Sequence, residues 1–131
     1  MTEHLKAQKD LWHYFSIYIR LRDCKETTGT LTHGRCFTCS KVVPYQEADA
    51  GHYISRVYKS TCYDERNVHL QCVNCNRLLR GNPEIYKKRI IAIYGQEVLD
   101  DLEHRKFQLA LFKGTILDDM KTYYQEKIKT L

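Results

Sequence analysis

Apolar residues near the start of the chain recur at helical spacing. Leu11, Phe15 and Tyr18 fall at i, i+4 and i+7, and Trp12 and Ile19 widen the stripe. The pattern predicts a helix over residues 4–23 whose aromatic residues form core. KETTGTLTHGR, residues 25–35, interrupts it with two glycines and four threonines and reads as a loop. CFTC follows as a turn bearing two thiols. KVVPYQEADAGHYISRVYKS, residues 41–60, is rich in β-branched and aromatic residues and predicts two short strands around a turn. NVHLQCVNCNRLL, residues 67–79, has apolar residues at helix-like spacing and predicts a helix. RGNP at 80–83 is a stop signal, with Gly81 as the C-cap and Pro83 opening the next element. PEIYKKRIIAIYG predicts a helix closed by Gly95, and a further helix runs from 96 to 104. Thr115 and Asp118 have the spacing of a capping box before a last helix, ILDDMKTYYQEKIKTL.

These elements predict an α+β fold in one domain. A cysteine-rich, β-containing centre over 35–82 lies between an N-terminal helix (4–23) and C-terminal helices (83–131). A chain of 131 residues is long enough for one modest core. Its composition, 43% hydrophobic and 28% charged, favours a folded protein over a disordered one. No apolar run approaches the roughly 18 residues of a membrane span. MTEHLKAQKD, at the N-terminus, lacks the apolar centre of a signal peptide. A reducing cytosol is therefore the expected compartment, and there six cysteines point to metal or chemistry before disulfides. The net charge of +5 fits a partner that carries phosphates. The excess sits with the cysteines: residues 35–80 hold seven basic side chains against four acidic ones, and 84–131 nine against eight.

Cys36-x2-Cys39 and Cys72-x2-Cys75 are separated by 32 residues. A two-residue spacer lets both sulfurs of a pair face one point, so the two pairs can surround a tetrahedral Zn²⁺. One such pair is a weak signal; two in a cytosolic chain are a strong one. A redox pair lacks the βαβ setting it needs. A zinc with four thiolates is closed to substrate, so it would stabilise the fold and do no chemistry. Cys24 and Cys62 are left over as small buried hydrophobes.

The insert between the knuckles holds the candidate chemistry. His52 follows a predicted strand, Asn67 starts the predicted helix, and Asn76 lies nine residues further on. That arrangement resembles the HNH, or ββα-metal, nuclease motif, whose form Asn-hydrophobic-x-x-x-Cys-x-x-Cys-[His/Asn] is matched from Asn67 to Asn76. FSIYIRLRDC, DAGHYISR, ERNVHLQCVNCNRLLRGN and IYKKRIIAIYG together resemble the NinG/Rap recombination nucleases of lambdoid phages, over residues 9–104. The resemblance implies a zinc-stapled HNH-like core. It also implies a metal-dependent DNA endonuclease that cuts branched recombination intermediates, such as Holliday junctions and D-loops, in the host cytoplasm.

Under that resemblance His52 is the general base, since a neutral imidazole can take a proton from water. Asn67 would hold the loop that carries His52. Asn76 would give an oxygen to a catalytic Mg²⁺ or Mn²⁺, hard ions that keep several waters. The residue before the base is often an Asp or His metal ligand in this motif; here it is Gly51, without a side chain. Asp49 is the first replacement, though it needs a local bulge to converge with His52. Glu65 and His69 are the others. Arg56, Lys59, Arg77 and Arg80 cluster around the motif as phosphate contacts. Paired incisions across a junction would suit a homodimer. The alternative is a non-catalytic zinc module that binds nucleic acid, in which His52 and Asn67 are a satisfied core histidine and a helix cap.

Overall fold

The computed structural model describes residues 2–131. Helix α1 (Glu3–Thr28) starts at Thr2, whose hydroxyl accepts from the Leu5 amide at 3.1 Å. It runs beyond the expected end at 23. Thr27 and Thr28 donate back to the carbonyls of Asp23 (2.6 Å) and Cys24 (3.0 Å), which keeps the last turn wound until Gly29 closes it at φ 74°. Strands β1 (His33–Arg35) and β2 (Val42–Pro44) pair antiparallel and flank the CFTC turn.

One turn of 3₁₀-helix (Tyr45–Glu47) leads from β2 into β3 (Ala48–His52). The two strands expected over 41–60 therefore exist, but they do not pair with each other. β3 pairs antiparallel with β4 (Val68–Cys72), after the short α2 (Lys59–Cys62). The helix expected over 67–79 is absent: its first half is β4, and only Asn74–Leu78 winds, as a single wide π turn. The apolar spacing of a run this short fits either element. Burial on both faces decides the matter. Every residue of β4 is buried, with Val68 and Leu70 facing the side of α1 and His69 and Gln71 the other.

Between the π turn and α3 (Pro83–Tyr94), Arg80, Gly81 and Asn82 all have positive φ, at 53°, 90° and 50°. The C-cap of the turn is Leu79 and not Gly81, whose amide instead returns to the Cys75 carbonyl at 2.8 Å; Pro83 opens α3 as expected. Gly95 closes α3 and α4 (Gln96–Arg105) follows at once; both pack as a hairpin through Tyr86, Ile90, Leu99 and Leu102, which meet Ile54. Helix α5 (Ile116–Lys129) lies against α1, with Tyr124 4.9 Å from Phe15 and 5.3 Å from Tyr18 between ring centres. The capping box expected there does not form. The Thr115 hydroxyl bonds the Asp119 carboxylate at 3.0 Å instead of a backbone amide.

α1 also covers the outer edge of β4 with a buried ion pair. Asp23 Oδ2 accepts from the Leu70 amide at 2.8 Å, and Arg22 donates to the carbonyls of Glu65 and Val68 at 3.1 and 3.0 Å. Arg22 and Asp23 meet each other at 2.8 Å. Backbone groups that a neighbouring strand would otherwise claim are thus paired by side chains. The result is a mixed α+β architecture of two small sheets flanked by helices. No helix of the described residues is long and apolar enough to cross a membrane.

Candidate functional site

The knuckles converge. The sulfurs of Cys36, Cys39, Cys72 and Cys75 all lie within 4.8 Å of one another. Cys39 Sγ and Cys72 Sγ are 3.7 Å apart. Tetrahedral zinc–thiolate bonds of about 2.3 Å require sulfurs roughly 3.8 Å apart. The donor set and its spacing therefore fit one tetrahedral Zn²⁺. Surrounding groups orient the sulfurs: the Cys75 amide donates to Cys72 Sγ at 3.4 Å, and the Thr38 hydroxyl lies 3.4 Å from Cys36 Sγ. Cys24 and Cys62 lie outside this cluster and are buried among apolar side chains.

His52 ends β3. Its Nε2 is 2.9 Å from the carbonyl of Cys62. A carbonyl only accepts, so Nε2 carries the proton and Nδ1 keeps the lone pair. Trp12 stacks on the ring at 5.1 Å. Burial lowers the pKa of His52 to about 4, against the Cys62 hydrogen bond and helped by the charges of Arg56 and Lys59. The imidazole is therefore neutral at cellular pH.

Asn67 is fully buried at the head of β4, not at a helix start. Its Oδ1 accepts from the Ile54 amide at 2.8 Å, and its Nδ2 donates to the carbonyls of Ile54 and Thr61, both at 3.0 Å. The side chain thus ties the segment after His52 to the helix whose last carbonyl orients His52.

Asn76 sits in the π turn. Its Nδ2 donates to Asp49 Oδ2 at 2.9 Å, which turns Oδ1 towards Gly51. Asp49 also receives Arg77 through two bonds of 2.9 Å. Burial alone would raise the Asp49 pKa; the hydrogen bonds from Arg77 and Asn76 outweigh it and hold the carboxylate below its usual range. β3 pairs with β4 in unbroken register, so the bulge needed to bring Asp49 to the His52 face does not exist. Glu65 is held by Tyr124 at 3.0 Å. His69 lies between Tyr86 (2.9 Å) and Tyr94 (2.7 Å).

His52, Asn76, Arg56, Arg77 and Arg80 line one open cleft of about 460 Å³, with Trp12 as its wall. Lys59 does not reach it and lines a neighbouring hollow with Leu5 and Cys62. Two cleft features escape the reading of the sequence. Trp12 is only half-buried and faces His52 and Arg56, where the sequence places it in the core. Its position beside the Leu11–Phe15–Tyr18 stripe, rather than on it, is the available signal. Gln71 is fully buried behind Gly51, and the strand alternation that puts it there is hidden when 67–79 is read as a helix.

The chain's relatives point one way. The sequence model described as "Bacteriophage Lambda NinG protein" matches residues 2–131. Protein ninG of Escherichia phage 933W is 34% identical over 99 residues, covering 73% of this chain and 47% of that protein. Protein ninG of Escherichia phage lambda is 33% identical over 99 residues, with the same shares covered. Protein ninG of Enterobacteria phage H19B is 43% identical over 56 residues, 42% of this chain and 28% of that protein. The chain spans about half the length of the first two of these curated relatives. No solved structure matches it. With nearly every residue matched by the family and its knuckles closed on one point, the chain belongs to the NinG family of lambdoid phage proteins.

Proposed function

We propose that this chain is a metal-dependent DNA endonuclease of the HNH type, with branched recombination intermediates as substrates. The observation that carries the reading is the setting of His52. Its Nε2 proton is committed to the Cys62 carbonyl, its ring is neutral, and it lines the same cleft as Asn76 and three arginines. The order β3, β4 and then a helical turn bearing Asn76 agrees with a small ββα unit. The four-cysteine cluster would bind a structural Zn²⁺ that fixes the π turn against the rest of the core.

In this reading, phosphates of the substrate are held by Arg56, Arg77 and Arg80. His52 Nδ1 accepts a proton from a water, whose oxygen attacks phosphorus; the bond to the leaving oxygen breaks and that oxygen takes a proton from solvent. Trp12 and the Cys62 carbonyl fix the plane of the imidazole, and Asn67 fixes the segments on either side of it. Asn76 Oδ1 would hold a Mg²⁺ or Mn²⁺, which, when bound, supplies charge neutralisation at the phosphate.

The test is cleavage of a labelled four-way junction and a matched linear duplex by zinc-loaded protein with Mg²⁺ or Mn²⁺, beside His52→Ala of verified fold and zinc content. Junction cutting that disappears in the variant is expected. Equal cutting of both DNAs would remove the preference for branched substrates and keep the nuclease. Binding of the junction without any cutting would give first place to a non-catalytic zinc module.

A further inference from the structure

Gln71 carries the one buried side-chain nitrogen or oxygen atom without a hydrogen-bond partner among the described residues. Its Nε2 donates to Thr38 Oγ1 at 3.1 Å and to the Gly81 carbonyl at 3.0 Å, so both amide protons are used. Turning the amide over would set two carbonyl oxygens against each other at Gly81, so the observed orientation is fixed. Oε1 is then left facing Gly51 with no donor. Buried polar groups without partners are rare in native folds, and each calls for an explanation.

Gly51 supplies the geometry. A Cβ on Gly51 would overlap Gln71 Oε1 and would lie 2.9 Å from Asn76 Oδ1. Two amide oxygens therefore face the position that a side chain at 51 would take, and the Gln71 carboxamide reaches it only because Gly51 has none. Asn76 cannot satisfy Gln71: its own Nδ2 is committed to Asp49, and the end it turns towards Gly51 is an acceptor. Two acceptors that face one space, one of them buried and unpartnered, repel unless a cation or a donor lies between them. Hard divalent cations take oxygen ligands of this neutral kind and complete their shell with water.

We propose that Gln71 Oε1 is a second protein ligand, beside Asn76 Oδ1, for the divalent cation of this site. The proposal rests on the nuclease reading only in supposing that such a cation binds there. Both ligands are neutral, so the charge on the cation is balanced from outside the pair. The carboxylate bonded to Asn76, Asp49, is already paired with Arg77, so the balancing charge comes from a phosphate of the substrate. Weak binding to the free protein and tighter binding in the presence of DNA follow from that balance.

The experiment is a Mg²⁺ titration of the isotopically labelled, zinc-loaded full chain, read at the side-chain carboxamide carbon and NH₂ resonances. In the wild type, Gln71 and Asn76 signals are expected to move together with one midpoint. Gln71→Met, which keeps the length of the side chain and removes the oxygen, is expected to weaken Mn²⁺ binding at least tenfold by electron paramagnetic resonance. If Asn76 responds while Gln71 does not, the proposal is overturned and the nuclease reading is untouched. If neither responds and the protein still cuts DNA, the cation enters elsewhere and the proposal again fails alone. Silence of both residues together with no cleavage would remove both. The wild-type titration decides even if the variant does not fold.

Discussion

At His52, a single hydrogen bond sets both the tautomer and the chemistry. The folded pKa of about 4 lies below the ordinary value of 6.5, so the contribution of this group to stability is complete above pH 6.5 and is lost as pH falls through 4. Titration of the imidazole followed by NMR is expected to show a midpoint near 4, and the acid limb of any cleavage profile should lie well below 6.5. A midpoint near 6.5 would show an exposed ring and contradict the stacking on Trp12. His69 behaves in the same direction more strongly: burial, helped by the charges of Arg22 and Arg89, lowers its pKa to about 2. The only proton of Tyr86 goes to the Gly51 carbonyl at 2.7 Å, so His69 Nδ1 donates to Tyr86 and Nε2 accepts from Tyr94. Asn67 offers a second test. Asn67→Ala strands the Ile54 amide and carbonyl in the interior, where each unmet group costs about 1–3 kcal/mol, and leaves the Thr61 carbonyl with the Asp64 amide alone. A clear loss in the urea midpoint is expected. Asn67→Asp should also destabilise, because its carboxylate would face the same two carbonyls.

At the scale of elements, β4 joins the two halves of the site. It begins directly after Asn67, which ties down the segment after His52, and ends at Cys72, which belongs to the thiol cluster. If the thiol cluster holds zinc, its removal should therefore be felt at His52. Structural zinc sites contribute about 10–16 kcal/mol to folding in small peptides. That matches or exceeds the roughly 5–15 kcal/mol of net stability of a typical domain. Chelation, or Cys72→Ser, is expected to release one zinc per chain and to collapse amide protection across β3 and β4 in hydrogen exchange. Persistent protection there would mean that the metal is dispensable. Much of this element pattern is legible in the sequence. α1, α3, α4 and α5 follow from stripes, glycine stops and Pro83, and the knuckles from cysteine spacing alone. β4 is not legible, because Val68, Leu70 and Val73 fit a helix as well as a strand, and the choice is made by α1 on one face and Tyr86 and Gly81 on the other. The role of Gly51 is hidden for the same reason: Gln71 reaches it across a sheet that a helical reading does not contain.

Over the whole molecule, the cleft faces solvent with Arg56 and Arg80 at its rim and Arg77 drawn towards Asp49. If DNA lies there, each free arginine releases about one counterion on binding. Arg56→Ala and Arg80→Ala should then weaken binding to all sequences alike and reduce the slope of log affinity against log salt by about 1 each. Arg77→Ala should act differently, since it also frees the carboxylate that holds Asn76. Fluorescence anisotropy across a salt series separates the two cases. The packing of α5 on α1 has a consequence for synthesis. α1 leaves the ribosome before α5, and Phe15 and Tyr18 are fully covered only once Tyr124, made more than a hundred residues later, packs on them. The four cysteines are all translated by residue 75, so the nascent chain can close its thiol cluster while the aromatic side of its first helix still faces water or a chaperone.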